Sequence, residues 1–439
     1  MKLFISGISG TGMGPLALMA KSAGFEVCGS DLARGAVYNE LVKAGIEVYI
    51  GEQNGDYFRT KLEQGVDWFC YTSALPEDHP ELVLAREAGI KCTKRDDLTA
   101  YLVDELGLKM IAVAGTHGKT TTTAMIVWAS LKLKLPVSYI VGTTLGFAPS
   151  GAYRKGDKYF VYEADEYDRN FLKYHPWIAV IPAVSYDHPD IYPTREDYEE
   201  AFRQFREQSD FVIECKDGAV MEKSMASDED FESKGLFKVE DFNLAGKARR
   251  VDAALAANSV FHMQQNEFAD KGMRVDYYSG ALIDAMNEFP GVGRRFERIA
   301  DYIYTDYAHH PEEIEATVEM AREEAEILGA KGLVVVYQPH QNTRQHEVRE
   351  GYREAFIGVD KLFWLPTYLT RENPDLAVLR PEELIDGLAN SEIAKPAELD
   401  EDLEVNLREY LKKGYLVILM TAGPADWWFR EKFGNKTDN

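Results

Sequence analysis

A glycine-rich run between an apolar segment and a helical one constrains the fold of this chain most. The segment Ala112–Thr123 reads AVAGTHGKTTTT. Its pattern predicts a strand that ends at Ala114 and a helix that begins near Lys119, with Gly115 and Gly118 permitting a tight turn between them. Backbone N–H groups at such a helix start bind phosphate oxygens, and the helix dipole adds to the attraction. The run therefore predicts a nucleotide-binding α/β domain.

The side chains of this phosphate loop add a charge and a hydroxyl. Lys119 would supply a positive charge to the β- and γ-phosphates, and Thr120 would place its hydroxyl on Mg²⁺. Val113 stands where the full motif has its first glycine, so the loop is a shortened variant. An ordinary strand–helix turn would not require Lys-Thr directly after glycine. The predicted phosphate-binding residues are Gly115, Thr116, His117, Gly118, Lys119, Thr120 and Thr121.

Short apolar segments alternate with segments of helical periodicity along the whole chain. Strands that are apolar on both faces and alternate with helices predict parallel α/β sheets. Changes in composition at Asp104–Lys109 and Phe289–Arg295 divide the 439 residues into three predicted domains, 1–108, 109–290 and 291–439. The charged segment 217–241 is predicted to form hairpins or loop. The clearest predicted helices are Arg195–Gln208 and Pro311–Leu328.

The chain is strongly acidic, with 49 basic and 73 acidic residues and a net charge of −24. Such a surface repels nucleic acid and anionic membranes, so neither partner is expected. The four cysteines lack the spacing of a zinc site, and the first residues lack the apolar core of a signal peptide, which together predict a cytoplasmic protein. No apolar stretch has the length of a membrane span. The sequence leaves the oligomeric state open.

A second glycine-rich run, Gly7–Gly14, follows the first predicted strand, and Asp31 ends the next one. Glycines that allow close backbone approach, followed about 20 residues later by an acidic residue near a ribose, are typical of a dinucleotide fold. The strict pattern fits poorly, and a second nucleotide loop in the same chain disfavours hydride chemistry. The run therefore indicates a substrate that carries a pyrophosphate, with a purely structural turn as the alternative.

Carboxylates and imidazoles follow other predicted strands. Glu163 begins the run EADEYD, and His188 lies in the run SYDHPD. Hard oxygen ligands suit Mg²⁺, and a neutral imidazole would complete a second metal site. In the last third, the pair Arg294–Arg295 offers planar guanidinium groups to phosphoryl oxygens. The pair His309–His310 precedes a proline that is expected to begin a helix, and the run QPHQNTR at 338–344 would meet a polar or anionic ligand.

Together these motifs resemble those of the Mur ligases, which form amide bonds in peptidoglycan synthesis. The resemblance spans nearly the whole chain. It is carried by GISGTGM at 7–13, GSD at 29–31, TSA at 72–74, AGTHGKTTTT at 114–123, EADE at 163–166, DHPD at 187–190, GRRFE at 293–297, DYAHHP at 306–311 and QPH at 338–340. It implies a Rossmann-like N-terminal domain for a uridine nucleotide, a central P-loop ATPase-type domain with a parallel sheet, and a C-terminal Rossmann-like domain.

The resemblance also implies roles for single residues. Lys119 and Thr120 would bind the phosphates of ATP and Mg²⁺, and Thr120 would share the metal with Glu163 and His188. Asp306 would approach the ribose of ATP. The implied catalytic residues are Lys119, Glu163, His188, Arg295 and His309, and the implied UDP-sugar-binding residues are Gly10, Thr11, Gly12, Met13, Asp31 and Ser73.

The implied reaction joins L-alanine to the lactyl carboxylate of UDP-N-acetylmuramate through an acyl phosphate, at the expense of ATP. Ligation of a whole tripeptide to the same sugar nucleotide is one alternative, because EADEYD at 163–168 is similar to a ligase that recycles such peptides. A nucleotide-binding homologue without turnover is another, because GKAR stands at 246–249 where the family usually has Gly-x-His-Asn, and Ala183 replaces a common Asn. If Lys119 supplies only charge, its replacement would abolish turnover and leave the fold intact.

Overall fold

The computed structural model describes residues 1–72, 74–188, 191–225, 232–234, 236–269, 279–370 and 372–434. The chain divides into two compact units, the first made of residues 1–243 and 251–290 and the second of 244–250 and 291–439. The first unit holds an N-terminal and a central sheet, and the second holds a C-terminal sheet. Parallel strands dominate all three sheets, which confirms the predicted α/β class.

The N-terminal part of the chain forms a parallel sheet with intervening helices. Its strands are β1 Lys2–Ser6, β2 Glu26–Asp31, β3 Glu47–Ile50, β4 Trp68–Tyr71 and β5 Lys91–Lys94, and its helices are α1 Gly14–Ser22, α2 Tyr38–Lys43, α3 Asp56–Glu63, α4 Pro80–Glu87 and α5 Arg95–Glu105. The strand order is β3-β2-β1-β4-β5, with all of these pairs parallel. The order reverses at β1, and ligands of such sheets bind beyond the carboxyl ends of the strands at this point. The glycine-rich run 7–14 follows β1 and therefore lies at the expected place for a ligand-binding loop.

The central part of the chain forms a larger, mixed sheet. Its strands are β6 Lys109–Val113, β7 Val137–Ile140, β8 Gly151–Ala152, β9 Tyr159–Glu163, β10 Ile178–Ile181, β11 Phe211–Lys216, β12 Ala219–Ser224 and β13 Glu232–Lys234, and its helices are α6 Lys119–Lys132, α7 Arg195–Glu207, α8 Lys247–Ala269 and α9 Ser279–Asn287. The order is β13-β12-β11-β10-β6-β9-β7-β8. The inner strands are parallel, whereas the edge pairs β7–β8, β11–β12 and β12–β13 are antiparallel. Helix α7 begins at the predicted residue behind a capping box formed by Thr194 and Asp197.

A tight hairpin joins β11 to β12. Its two-residue loop is Asp217-Gly218, with φ angles of +50° and +78°. Asp-Gly is favoured in such loops because both positions need a left-handed backbone. The hairpin prediction for segment 217–241 is therefore confirmed in the part of that segment that the structure describes; residues 226–231 and 235 lie outside it.

The C-terminal sheet belongs to the second unit. Its strands are β14 Glu297–Ala300, β15 Ile303–Asp306, β16 Leu333–Gln338, β17 Lys361–Trp364, β18 Ala394–Pro396 and β19 Leu416–Thr421, and its helices are α10 Pro311–Ile327, α11 Asn342–Val348, α12 Tyr352–Ala355, α13 Pro381–Ile385, α14 Glu401–Lys412 and α15 Ala425–Phe433. The order is β14-β15-β19-β16-β17-β18, with β14 antiparallel to its neighbour. Helix α10 begins at Pro311, as predicted. Short 3₁₀ helices span Tyr167–Lys173, Val239–Asp241, Arg349–Gly351 and Ser391–Ile393.

The N-terminal and central sheets share one hydrophobic core, since buried side chains from both belong to a single continuous cluster. Helix α1 packs against β8, and a Cβ atom at Gly151 would lie only 1.9 Å from the carbonyl oxygen of Pro15. The carboxylate of Glu40 accepts hydrogen bonds from the backbone N–H and the hydroxyl of Ser150, at 2.7 and 2.9 Å. These contacts fix the two sheets against each other.

Candidate functional site

The predicted phosphate loop connects β6 to α6. Strand β6 ends at Val113, one residue before the predicted end, and α6 begins at Lys119 as predicted. Gly118 has a φ angle of +81°, and a Cβ atom there would lie 2.6 Å from Oδ1 of Asp252, so this turn requires glycine. The same carboxylate oxygen accepts a hydrogen bond from the hydroxyl of Thr122 at 2.9 Å. The strand, turn and helix that the motif predicts are thus present.

The hydroxyl of Thr116 is used within the protein. It donates to the carbonyl oxygen of Ser185 at 2.6 Å and accepts from the N–H of Ser185 at 2.9 Å. The backbone N–H of Thr116 donates to the carbonyl oxygen of Ala183 at 2.9 Å. Thr116 therefore anchors the loop to the segment after β10, and its predicted place in ATP binding stays a prediction. His117 follows it in the loop, and Thr121 lies in the first turn of α6.

Lys119 already has a carboxylate partner. Its Nζ lies 2.8 Å from Oε1 of Glu166 and also donates to the carbonyl oxygen of Gly115. Glu166 is 2% exposed, and its burial opposes ionisation, but Lys119 and His188 more than offset this and lower its pKa to about 2. Burial alone would lower the pKa of Lys119, and Glu166 instead raises it. Glu166 lies in the EADE run, but no sequence pattern indicates its ion pair with Lys119.

A carboxylate oxygen without a donor marks the predicted metal position. Glu163 ends β9, and its Oε1 accepts a hydrogen bond from the hydroxyl of Thr120 at 2.9 Å. Its Oε2 is buried, and no described residue donates to it. A Cβ atom at Gly142 would lie 2.8 Å from Oε2, so a side chain there would displace the carboxylate. A buried, unpartnered oxygen beside a hydroxyl fits Mg²⁺, which prefers hard oxygen ligands.

His188 lies beside Glu166. Its Nε2 is 3.6 Å from Oε1 of Glu166 and 3.6 Å from Oδ2 of Asp187, and its ring meets that of Tyr167 edge-on at 5.2 Å. Its φ angle of +58° is unusual for a residue other than glycine. Burial would lower the pKa of His188, but Glu166 and Asp187 raise it. The metal role of His188 stays a prediction; Pro189 and Asp190 lie outside the described residues.

The N-terminal glycine loop is held by Asp31. The carboxylate of Asp31 accepts a hydrogen bond from the backbone N–H of Ser9 at 2.9 Å, so it supports the loop that it was predicted to face. Met13 is 3% exposed and belongs to the hydrophobic core. Gly10, Thr11 and Gly12 form the turn before α1. Ser73, the remaining predicted UDP-sugar ligand, lies outside the described residues.

The two predicted nucleotide loops line one cleft of about 210 Å³. Its wall contains Thr11 and Gly12 from the glycine loop, Lys119 from the phosphate loop and Glu163 from the end of β9. Arg95, the first residue of α5, is also part of the wall, although no motif in the sequence singled it out. The motifs at 7–14, 112–123 and 163–168, separated by up to 150 residues in the chain, thus meet in space.

In the second unit, Asp306 has a structural role. It is 5% exposed, and its carboxylate accepts hydrogen bonds from the N–H groups of Phe296 and Ala308, at 2.6 and 2.8 Å, and from the hydroxyl of Thr317 at 3.2 Å. Burial raises its pKa. The carboxylate ties β15 to α10 and to the loop before β14, and the contact of Asp306 with the ribose stays a prediction.

The paired arginines of the GRRFE motif differ in their contacts. Arg294 donates to the carbonyl oxygens of Thr421 and Gly423, at 2.6 and 3.2 Å. The guanidinium of Arg295 lies over the ring of Tyr307 at 4.9 Å and forms no ion pair with any described residue. Arg295, the predicted catalytic member of the pair, lacks an ion pair among the described residues, and its charge opposes the rise that burial gives to the pKa of Asp306.

His309 and His340 form an imidazole pair in the second unit. Nδ1 of His309 is 3.1 Å from the carbonyl oxygen of Tyr307 and 3.2 Å from Oε2 of Glu313. The rings of His309 and His340 are 5.9 Å apart. Burial, with additional repulsion from His309 and Arg344, lowers the pKa of His340 to about 4. His340 is therefore neutral near pH 7, which the sequence did not indicate.

The divergent GKAR run has its own contacts. The N–H of Gly246 donates to Oε2 of Glu323 at 2.8 Å, and Arg250 forms an ion pair with the same carboxylate at 2.8 Å. The guanidinium of Arg249 lies over the ring of Phe296 at 5.9 Å. The run is thus an ordered part of the second unit.

Comparison with known proteins gives matches along the chain. Residues 4–105 match the catalytic domain of the Mur ligase family, residues 113–240 the Mur ligase middle domain, and residues 294–423 the Mur ligase, glutamate ligase domain. The UDP-N-acetylmuramate–L-alanine ligase of Syntrophomonas wolfei is 30% identical over 96% of this chain and 94% of its own length. The enzyme of that name from Gloeobacter violaceus is 30% identical over 95% and 92%.

This chain belongs to the Mur ligase family. Solved structures agree in fold: the UDP-N-acetylmuramate–alanine ligase of Thermotoga maritima superposes with a TM-score of 0.71 at 22% identity, covering 98% of both chains. A murein peptide ligase from Psychrobacter arcticus gives a TM-score of 0.58 at 22% identity over the full length of both. As a Mur ligase, the chain is an ATP-dependent enzyme that forms amide bonds. Among its described residues, no helix is both long and apolar enough to cross a membrane.

Proposed function

We propose that this Mur ligase joins L-alanine to the lactyl carboxylate of UDP-N-acetylmuramate, with ATP cleaved to ADP and phosphate, in the cytoplasm. The observation that carries the proposal is the cleft into which both nucleotide loops project, because the reaction needs a sugar nucleotide and ATP side by side. The named relatives that match over nearly their whole length support the choice of substrates.

In the first step, the lactyl carboxylate attacks the γ-phosphorus of ATP, the bond to the β-phosphate oxygen breaks, and ADP leaves. Lys119 stands in the phosphate loop to neutralise the charge that spreads over the transferred phosphoryl group. Thr120 and Glu163 would hold Mg²⁺, which supplies Lewis-acid stabilisation of phosphoryl oxygens when bound. The protein contributes mainly position and electrostatics, because phosphoryl transfer needs little covalent chemistry from side chains.

In the second step, the amino group of alanine attacks the acyl carbon, the amide forms, and inorganic phosphate leaves with the charge of the former acyl phosphate. Arg295 is suited to stabilise that anion because it forms no ion pair with a described residue.

The test is ATP-dependent phosphate release with UDP-N-acetylmuramate and a panel of amines. L-Alanine should be the best substrate, glycine should react roughly 10–200 times less efficiently because one methyl group is worth about 1–3 kcal/mol, and the tripeptide should be inert. UDP-N-acetylglucosamine, which lacks the lactyl carboxylate, is the matched control and should give no release. Efficient use of L-alanyl-γ-D-glutamyl-diaminopimelate with alanine inert would replace this proposal by the peptide-recycling reaction.

A further inference from the structure

Arg95 is placed to contact a ligand in the cleft shared by the two loops. It is the first residue of α5, and its side chain is 24% exposed. The guanidinium lies against the glycine loop, since a Cβ atom at Gly12 would be only 3.3 Å from its Nη1. Arg95 lines the cleft together with Thr11, Gly12, Lys119 and Glu163. A positive charge therefore stands between the glycine loop and the phosphate loop.

The guanidinium is oriented but not saturated by its neighbours. Its Nε donates to Oδ1 of Asp96 at 3.3 Å, and Nη2 lies 3.3 Å from the same oxygen and 3.6 Å from Oδ2 of Asp165. These distances exceed the 2.7–2.9 Å or so of a strong charge-assisted hydrogen bond. No described residue accepts a hydrogen bond from Nη1. An arginine that served only to bind Asp96 would be expected to donate hydrogen bonds from both terminal nitrogens, Nη1 and Nη2.

Asp96 is itself fixed by two buried tyrosines. It is 4% exposed, and its Oδ1 accepts hydrogen bonds from the hydroxyls of Tyr162 and Tyr174, at 2.9 and 3.0 Å. The tyrosine rings meet edge-on at 5.5 Å. A buried carboxylate with two phenol donors has little freedom to move, so it aims the guanidinium that it binds. Tyr174 is not among the residues that line the cleft, and it contacts the carboxylate of Asp96.

We propose that Arg95 binds an anionic group of the sugar nucleotide, its diphosphate or its lactyl carboxylate, and that Asp96, Tyr162 and Tyr174 are positioning residues for this contact. The inference rests on the proposed function for the identity of the substrate. A planar guanidinium matches either anion in a bidentate manner and adds a full positive charge to the backbone N–H groups of the glycine loop. A side chain at residue 12 would crowd Arg95, because the Cβ atom would lie 3.3 Å from Nη1.

The test is calorimetric titration in the absence of ATP, with UDP, UDP-N-acetylglucosamine and UDP-N-acetylmuramate as probes. Arg95→Gln should weaken binding of UDP-N-acetylmuramate about tenfold to a hundredfold, as expected for a lost hydrogen bond to a charged group. If the contact is with the diphosphate, all three probes weaken alike; if it is with the carboxylate, only UDP-N-acetylmuramate does. Arg95→Lys keeps the charge but loses the planar guanidinium, so its affinity for UDP-N-acetylmuramate should lie between those of the wild type and Arg95→Gln.

Tyr174→Phe tests the positioning role, because it should weaken the same probes severalfold while leaving ATP binding unchanged. Arg86→Gln, on the exposed surface of α4, is the matched control and should bind like the wild type. Folded Arg95→Gln and Arg95→Lys variants that bind all three probes normally would overturn the inference, as would an equal loss of ATP binding. Failure of the proposed function would show differently, as wild-type protein that does not bind UDP-N-acetylmuramate.

Discussion

Replacing Lys119 by alanine should reduce stability as well as activity, contrary to what the motif alone predicts. Lys119 is the partner of Glu166, whose side chain is only 2% exposed. Alanine would leave that carboxylate buried without its main counterion. The sequence predicts a lysine that only neutralises phosphate charge, whereas in the structure Lys119 also neutralises the buried carboxylate of Glu166.

The size of the effect follows from the burial of the pair. Removing one partner of a buried ion pair costs about 3–5 kcal/mol. Nε2 of His188 lies 3.6 Å from the same carboxylate oxygen and would recover part of the loss, so the lower end applies. A loss of about 3 kcal/mol corresponds to a fall in melting temperature of roughly 5 °C, because the first unit is larger than the domains for which 1 kcal/mol shifts it by about 2–4 °C. Turnover should fall by about a hundredfold to a thousandfold, as for other removed transition-state contacts.

Two assays separate these effects: thermal unfolding and ATP-dependent phosphate release. The double variant Lys119→Met, Glu166→Gln removes both charges and should recover most of the lost stability without recovering activity. Lys132→Met, which breaks the exposed pair with Glu288 at the end of the same helix, is the control and should change stability by less than about 1 kcal/mol. A Lys119→Ala protein that melts like the wild type would refute the buried-pair reasoning.

Two further predictions concern the metal and the imidazole. Glu163→Gln should raise the Mg²⁺ concentration needed for half-maximal activity, because a neutral amide replaces the carboxylate with the free oxygen; an unchanged magnesium titration would make Glu163 structural. The pKa of His340 in the folded protein is about 4, against an ordinary value of 6.5. Its contribution to the free energy of unfolding is therefore complete above pH 6.5. This contribution is lost as the pH falls towards 4, because the unfolded chain binds the proton first. Urea unfolding at pH 7 and pH 5 should show this loss in the wild type and a smaller one in His340→Gln, and equal losses would contradict it.

The local features of the fold could be predicted from sequence because each has a local cause. The phosphate loop, the helix that begins at Pro311 and the Asp217-Gly218 hairpin all follow from backbone preferences of glycine, proline and aspartate. Contacts between distant residues have no such signature. Arg95 belongs to no motif, and it is the packing of the N-terminal sheet on the central sheet that brings it to the cleft.

Motif residues also make contacts within the protein that the sequence does not indicate. Asp306 stands in a run that resembles a nucleotide-binding motif, and its carboxylate accepts hydrogen bonds from Phe296, Ala308 and Thr317. The hydroxyl of Thr116 is similarly committed to Ser185. A sequence shows that a polar side chain is present, but only the three-dimensional structure shows whether its hydrogen-bonding capacity is already used.

The joint between α1 and β8 limits how this protein can be recombined with its relatives. A chimera spliced near residue 108 would pack one parent's helix α1 against the other parent's strand β8. At this contact Gly151 leaves no room for a side chain beside Pro15, and Ser150 donates a hydrogen bond to Glu40. Exchanging residues 1–290 as a block keeps both halves of the joint, and the helices that pack on the central sheet, from one parent. Substrate-swapping libraries should therefore treat the N-terminal and central sheets as one cassette, and place their crossover beyond them.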